Sequence, residues 1–237
     1  MEYNRIVAGR FVERPNRFIA YVDINGKIEV CHVKNTGRCR ELLIEGSRVY
    51  LEESDNPNRK TKYDLIAVEK GNLLINMDSN APNQAVKEWL NDSKCPLFNG
   101  KEEVFVKPEC KYGTSRFDFY IEAGGRKIFI EVKGVTLEDQ GVVKFPDAPS
   151  ERAIKHLEEL ILAMEDGYEA YVMFVVQMKG ADCFQPNAET HPEFADVLRK
   201  AAQKGVNVLA YDCQVTEHSM KIDKPVKVNL LHKNKKY

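Results

Sequence analysis

Two runs that alternate apolar and polar residues, Phe117 to Glu122 and Ile128 to Lys133, flank a Gly124-Gly125 pair. This arrangement restricts the fold more than any other stretch of the chain. A two-residue period belongs to β-strands, and adjacent glycines supply the left-handed backbone of a tight hairpin turn. Phe117, Phe119 and Ile121 are expected on one face, with Asp118, Tyr120 and Glu122 on the other. On the return run Ile128, Ile130 and Val132 alternate with Phe129, Glu131 and Lys133. Antiparallel pairing then brings Asp118 close to Glu131, with Lys133 two residues further along Glu131's face.

Two carboxylates and a lysine in that arrangement suit a hard divalent cation. Mg²⁺ takes oxygen ligands and usually keeps several waters for substrate and nucleophile. Asp118 and Glu131 are the candidate ligands of Mg²⁺ or Mn²⁺. Lys133 is placed to orient a water or to stabilise charge developing on a phosphate. Phosphodiester hydrolysis is the natural reaction. Acid-x-Lys also occurs at Asp92-Ser93-Lys94 and Glu109-Cys110-Lys111, so the triplet is specific only through its strand context. The competing reading is a solvated hairpin face carrying a lateral ion pair.

With 237 residues, 43% hydrophobic and 30% charged, the chain has the composition of a globular protein with a sizeable core. It shows no run of about 18 apolar residues and no basic-then-apolar leader, so no membrane partner and a cytoplasmic location are expected. The six cysteines lack Cys-x-x-Cys spacing and read as reduced, mostly buried thiols. Cys31, His32 and Cys39 could share a metal only with difficulty, because Cys31 and His32 point to opposite faces of a strand. The net charge of −1 gives no global attraction to nucleic acid, so phosphate binding has to come from local clusters of cations. Candidates are Lys34 and Arg38 around the Asn35-Thr36-Gly37 turn, Arg59 and Lys60 after the Asp55–Asn58 loop, and Arg116, Arg152 and Lys155 further on. Solvated loops are the alternative for each cluster.

The two halves differ in texture. Residues 1–80 read as short strands at 5–12, 18–24, 27–34, 47–53 and 63–76, with Asn25-Gly26 a hairpin signal and Cys39 to Ile44 a short helix. That pattern fits a small OB-fold-like β-barrel, a frequent single-strand nucleic-acid binder. Residues 81–237 read as α/β. Gln84 to Leu90 is helix-like, and Ile154, Leu157, Leu160, Ile161 and Met164 recur at helical spacing. Tyr168 to Gln177 is a buried strand, Thr190 and Glu193 match a capping box closed off by Gly205, and Val206 to Tyr211 is a strand. Strand, helix, strand in that order implies parallel crossovers. A basic tail, His232 to Tyr237, ends the chain.

Several motifs resemble the sugar fermentation stimulation protein family. They are His32-Val33-Lys34-Asn35-Thr36-Gly37-Arg38, Ser54-Asp55-Asn56-Pro57 with Arg59-Lys60, Lys111-Tyr112-Gly113 with Ser115-Arg116-Phe117-Asp118, Glu131-Val132-Lys133, and Phe145-Pro146-Asp147-Ala148 with Glu151-Arg152 and Lys155-His156-Leu157. The resemblance implies an OB-fold-like domain followed by a restriction-endonuclease-like PD-(D/E)xK domain, with the nuclease signature on Asp118, Glu131 and Lys133. It also implies DNA binding in the regulation of sugar (maltose) metabolism. Glu88 is a weaker candidate for an additional helix-borne acid. Cys39 and Gly134 depart from the residues expected at their positions. Three function classes stay open: a DNA-binding regulator, a Mg²⁺-dependent nuclease of DNA or RNA, and an interaction module with protein partners. The pattern assigns no oligomeric state.

Overall fold

The computed structural model describes residues 1–35 and 37–231; Thr36 and the basic tail from His232 to Tyr237 lie outside the described residues. The first half consists of β1 (Ile6–Glu13), β2 (Ile19–Ile24), β3 (Lys27–Val33), β4 (Arg48–Glu53), β5 (Tyr63–Lys70) and β6 (Leu73–Asn76). Its strand order is β3-β2-β1-β4-β5-β6, and a further β3–β5 pairing closes the first five strands into an OB-like barrel. The stretch 63–76 is two strands rather than one, because Gly71 (φ +58°) reverses the chain. The expected helix at Cys39 to Ile44 is a single turn. Cys39 has φ +45° and Gly46 φ +84°, both outside helical geometry, and between them Leu42 and Leu43 are buried against the barrel.

The second half adds α1 (Ala81–Leu90), β7 (Val104–Tyr112), β8 (Ser115–Ala123), β9 (Arg126–Val135), β10 (Leu137–Asp139), β11 (Val142–Phe145), α2 (Glu151–Glu165), β12 (Glu169–Val176), β13 (Cys183–Pro186), α3 (Pro192–Gln203), β14 (Asn207–Val215), β15 (Met220–Pro225) and β16 (Lys227–Val228). The main sheet runs β15-β14-β12-β9-β8-β7. Its centre is parallel, β9 with β12 and β12 with β14, as the crossovers require. The expected β8–β9 hairpin is present, with both turn glycines at positive φ. Strand β7 and a smaller sheet, β10-β11-β13-β16, are additions to the sequence reading. Helix α3 starts at Pro192 with His191 as its N-cap, so Thr190 does not form a capping box; proline needs no hydrogen bond at the first helical position.

Apolar clusters run across both halves; in one of them Tyr50, Ile66 and Ala67 of the barrel join Ala85, Val86 and Leu90 of α1 and Ile128, Ile130 and Val132 of β9. A buried polar bridge reinforces it: Gln177 Nε2 donates to the Asn76 carbonyl (3.1 Å), Asn76 Oδ1 (3.0 Å) and the Asp78 carbonyl (3.1 Å). The departure at Gly134 is explained here. A Cβ at that position would lie 2.4 Å from Gln177 Oε1 and 2.9 Å from Pro82 Cγ, so glycine is what allows α1 to rest on β9. No helix among the described residues is long and apolar enough to cross a membrane.

Candidate metal centre

The β8–β9 ladder ends at Phe119–Ile130, and beyond that pair the two strands exchange side-chain contacts instead. Asp118 Oδ2 accepts the Val132 backbone N–H at 2.7 Å. Its Oδ1 accepts Asn83 Nδ2 of α1 at 2.8 Å. This changes the expected faces. Phe119 and Ile121 pack on the α1 side, whereas Phe117 packs with Phe129 and His156 on the α2 side, so the strand turns over at Asp118.

Glu131 is 3% exposed and faces α2. Its Oε1 accepts Lys133 Nζ at 2.6 Å and is also hydrogen-bonded to His156 Nδ1. Its Oε2 is buried and has no partner among the described residues. Asp118, Glu131 and Lys133 therefore do come together, at the point where the hairpin strands part. Burial, reinforced by the charge of Glu131, pushes the Asp118 carboxyl up to about 6. Burial also acts to raise Glu131, but the His156 hydrogen bond and the Lys133 charge outweigh it and hold that carboxyl below the ordinary glutamate value.

The donor set fits a hard divalent cation. Asp118 and Glu131 supply oxygens, and Glu131 Oε2 is a desolvated acceptor of the kind that costs free energy when it is left unpaired. Among the described residues no group of three His, Cys, Asp or Glu side chains is arranged to hold a metal. A cation held by Asp118 and Glu131 would take the rest of its coordination from water and phosphate oxygens, as Mg²⁺ chemistry allows. Cys31 and Cys39 are buried in the apolar core, where burial pushes both thiols up to about 12, and His32 is hydrogen-bonded to Asp64.

Glu88 is not part of the centre: its Oε2 lies 2.5 Å from the Met1 nitrogen. The helix-borne contributor from α1 is Asn83, about 140° around the helix from Glu88 at 100° per residue. The sequence places Arg152, Lys155, His156 and Glu159 on one face of α2 but gives no role to His156 or Glu159. His156 (4% exposed) reaches Glu131, and Glu159 (8% exposed) accepts Thr114 Oγ1 at 2.8 Å, anchoring the turn that starts β8. The signal was present, because Arg152, His156 and Glu159 share one side of α2 at spacings of four and three.

The expected phosphate-binding cations divide into two groups. Lys34 Nζ lies 3.2 Å from Asp78, 3.5 Å from Asp64 and 3.6 Å from Glu52, and Arg59 grips Asp64 with both terminal nitrogens. Both are committed to the barrel's own acids. Arg38, Lys60, Arg116, Arg152 and Lys155 are exposed, Arg116 with Glu109 at 3.1 Å. The Arg38 backbone N–H donates to Asp147 Oδ2 at 3.1 Å, which fixes the barrel loop beside the segment leading into α2. Arg38, Arg152 and Lys155 are thereby on adjoining elements.

A closed OB-like barrel joined to an α/β domain whose central hairpin gathers two carboxylates and a lysine defines a two-part protein. Family comparison narrows the class. Residues 12–77 match the SfsA N-terminal OB domain, and residues 80–219 match the sugar fermentation stimulation protein RE domain. The chain belongs to the sugar fermentation stimulation protein family. It is 58% identical over 222 residues to the homologue from Clostridium beijerinckii, covering 94% of this chain and 96% of that one. It is 56% identical over 230 residues to the homologue from Ruminiclostridium cellulolyticum, covering 97% and 100%. Among solved structures it is similar to Pyrococcus furiosus SfsA in complex with Ca²⁺, with a TM-score of 0.87 at 28% identity over 97% of this chain and 98% of that one.

Proposed function

We propose that this protein binds DNA across the barrel and the α/β domain and holds a divalent cation, Mg²⁺ or Mn²⁺, between Asp118 and Glu131, where a bound phosphate completes the coordination. The observation that carries this reading is Glu131 Oε2, a buried carboxylate oxygen without a partner beside a second carboxylate whose proton affinity is raised. The Ca²⁺ complex of the P. furiosus relative supports a divalent cation in this family. Bound there, the cation supplies Lewis acidity toward a phosphoryl oxygen. Lys133 contributes a positive charge next to the same carboxylate. Exposed Arg38, Lys60, Arg116, Arg152 and Lys155 contact the phosphates on either side. The relatives' shared name, sugar fermentation stimulation protein, supports a link to sugar metabolism, and regulation of sugar (maltose) metabolism through DNA binding is the biological part of the proposal.

Cleavage of DNA or RNA is the second reading, favoured by the convergence of Asp118, Glu131 and Lys133. Incubating the purified protein with labelled single- and double-stranded DNA, with Mg²⁺, with Mn²⁺ or with chelator, tests both. Cation-dependent retention of intact DNA supports the binder. Cleavage that Lys133→Ala removes while binding persists supports the nuclease. Failure to retain either DNA form under all three conditions would overturn the binder, and DNA and RNA substrates left intact under all three would overturn the nuclease.

A further inference from the structure

The α2 face of the centre carries more than the proposed ligands require. His156 is buried between the helix and the sheet, edge-on to the Phe117 ring with centroids 6.4 Å apart. Both of its ring nitrogens are occupied. Arg152 Nε donates to His156 Nε2 at 3.4 Å from one turn earlier on α2. A guanidinium can only donate, so Nε2 is the lone-pair nitrogen, and Nδ1 carries the hydrogen given to Glu131 Oε1. Lys133 Nζ donates to the same oxygen at 2.6 Å. Both donors converge on Oε1, and none reaches Oε2 among the described residues.

This asymmetry matters because the two oxygens of a free carboxylate are equivalent, and the terminal torsion of glutamate is broad. A lysine alone would not select a carboxylate plane, since its ammonium is a compact charge on a flexible stem. A ring locked by burial, by Phe117 and by Arg152 does select one. We propose that His156 is a positioning residue that fixes the plane of Glu131 and presents Oε2, rather than Oε1, to the divalent cation. Arg152 then has two roles on one side chain, with Nε setting the imidazole tautomer and the outer guanidinium nitrogens left for phosphate. The inference rests on the cation-binding reading given above and adds to it the residue that shapes one ligand.

Substitutions that separate the two ring nitrogens supply the test. In His156→Asn the side-chain amide nitrogen sits as many bonds from the backbone as Nδ1 and can still donate to Glu131. In His156→Gln the amide is displaced toward the Nε2 position and cannot. Mn²⁺ binding to the full chain is followed by electron paramagnetic resonance and calorimetry, with Glu131→Gln as the reference that removes the ligand. His156→Gln is expected to weaken Mn²⁺ by about 10–100-fold, the usual cost of losing a partner that orients a metal ligand, while His156→Asn stays within about threefold of wild type. Nitrogen resonances of histidine-labelled wild-type protein without metal should show Nδ1 protonated and Nε2 bare, a readout independent of any variant. If wild type binds Mn²⁺, Glu131→Gln does not, and His156→Gln binds as wild type does, the positioning role is overturned and the cation site stands. The opposite tautomer also overturns it. Wild-type protein that binds no Mn²⁺ overturns the cation site and this inference together.

Discussion

Asp64 in the barrel and Asp118 in the α/β domain are both acids withdrawn from water on strands, and their surroundings treat them in opposite ways. Asp64 receives a two-pronged contact from Arg59, His32 Nδ1 at 3.0 Å and Lys34 Nζ at 3.5 Å. Burial acts to raise its pKa, but these partners outweigh it and hold the carboxyl below the ordinary aspartate value. Asp118 has one amide and one backbone N–H, with a second carboxylate nearby, and its carboxyl is pushed up. Asp64 is an acid whose needs the protein meets itself. Asp118 lacks a direct cationic partner, and the lysine and histidine beside it are spent on one oxygen of Glu131, leaving the other bare; an acid pair met this incompletely is what a functional site is expected to show.

The largest expected effect concerns the barrel. Asp64→Ala leaves Arg59 without its partner, takes one of three acids from Lys34, and should destabilise the chain by about 3 kcal/mol in denaturant unfolding, with Mn²⁺ affinity unchanged. Lost Mn²⁺ binding in a folded Asp64→Ala protein would erase the distinction between the two acids. Asp118→Asn should do the reverse. Its Mn²⁺ affinity should fall by about 100-fold, roughly 2.7 kcal/mol, while calorimetric unfolding in chelator shows equal or greater stability.

A pH comparison sharpens the contrast, because the two acids shift in opposite directions. The folded pKa of Asp118 is raised to about 6 from an ordinary value of 3.8. Its contribution is therefore fully present below about pH 4 and lost as pH rises through 6. Asp64, held down, contributes above its ordinary value and loses that contribution as pH falls below about 3.8. Unfolding in chelator should show wild type losing on the order of 1–2 kcal/mol relative to Asp118→Asn between pH 4 and pH 7. Parallel curves would refute the raised value. The smallest effect concerns the exposed cations. Neutralising Lys60 or Lys155 should flatten the salt dependence of DNA binding by about 0.9 per phosphate contact, whereas Lys34→Gln should lower stability and leave the slope unchanged.

What was legible from the sequence follows the same division. The hairpin, its turn glycines and the parallel crossovers were readable because local periodicity and left-handed backbone fix them. So was the meeting of Asp118, Glu131 and Lys133. Strand β7 escaped because it is largely exposed and interrupted by Pro108, and the strands of the small sheet are two to four residues long. Asn83 and His156 escaped for another reason: a helix pattern shows which face is polar, but not what that face will meet. The turnover between Phe117 and Phe119 has no signal in the local periodicity; it coincides with Asp118 accepting the Val132 N–H across the opened ladder and with Glu109 at φ +51° on β7.

The missing side chain at Gly134 has a consequence for inheritance and engineering. Position 134 follows Lys133 directly, and the space its absent Cβ would fill is taken by Pro82 at the start of α1 and by Gln177, which also bonds the end of the barrel. The strand that carries Glu131 and Lys133 is therefore seated by the same contacts that join the two halves. A fragment cut between them would retain Asp118, Glu131 and Lys133 and lose the surface that seats their strand. Although the chain reads as two modules along its length, these shared contacts lead us to expect a single unfolding transition for both.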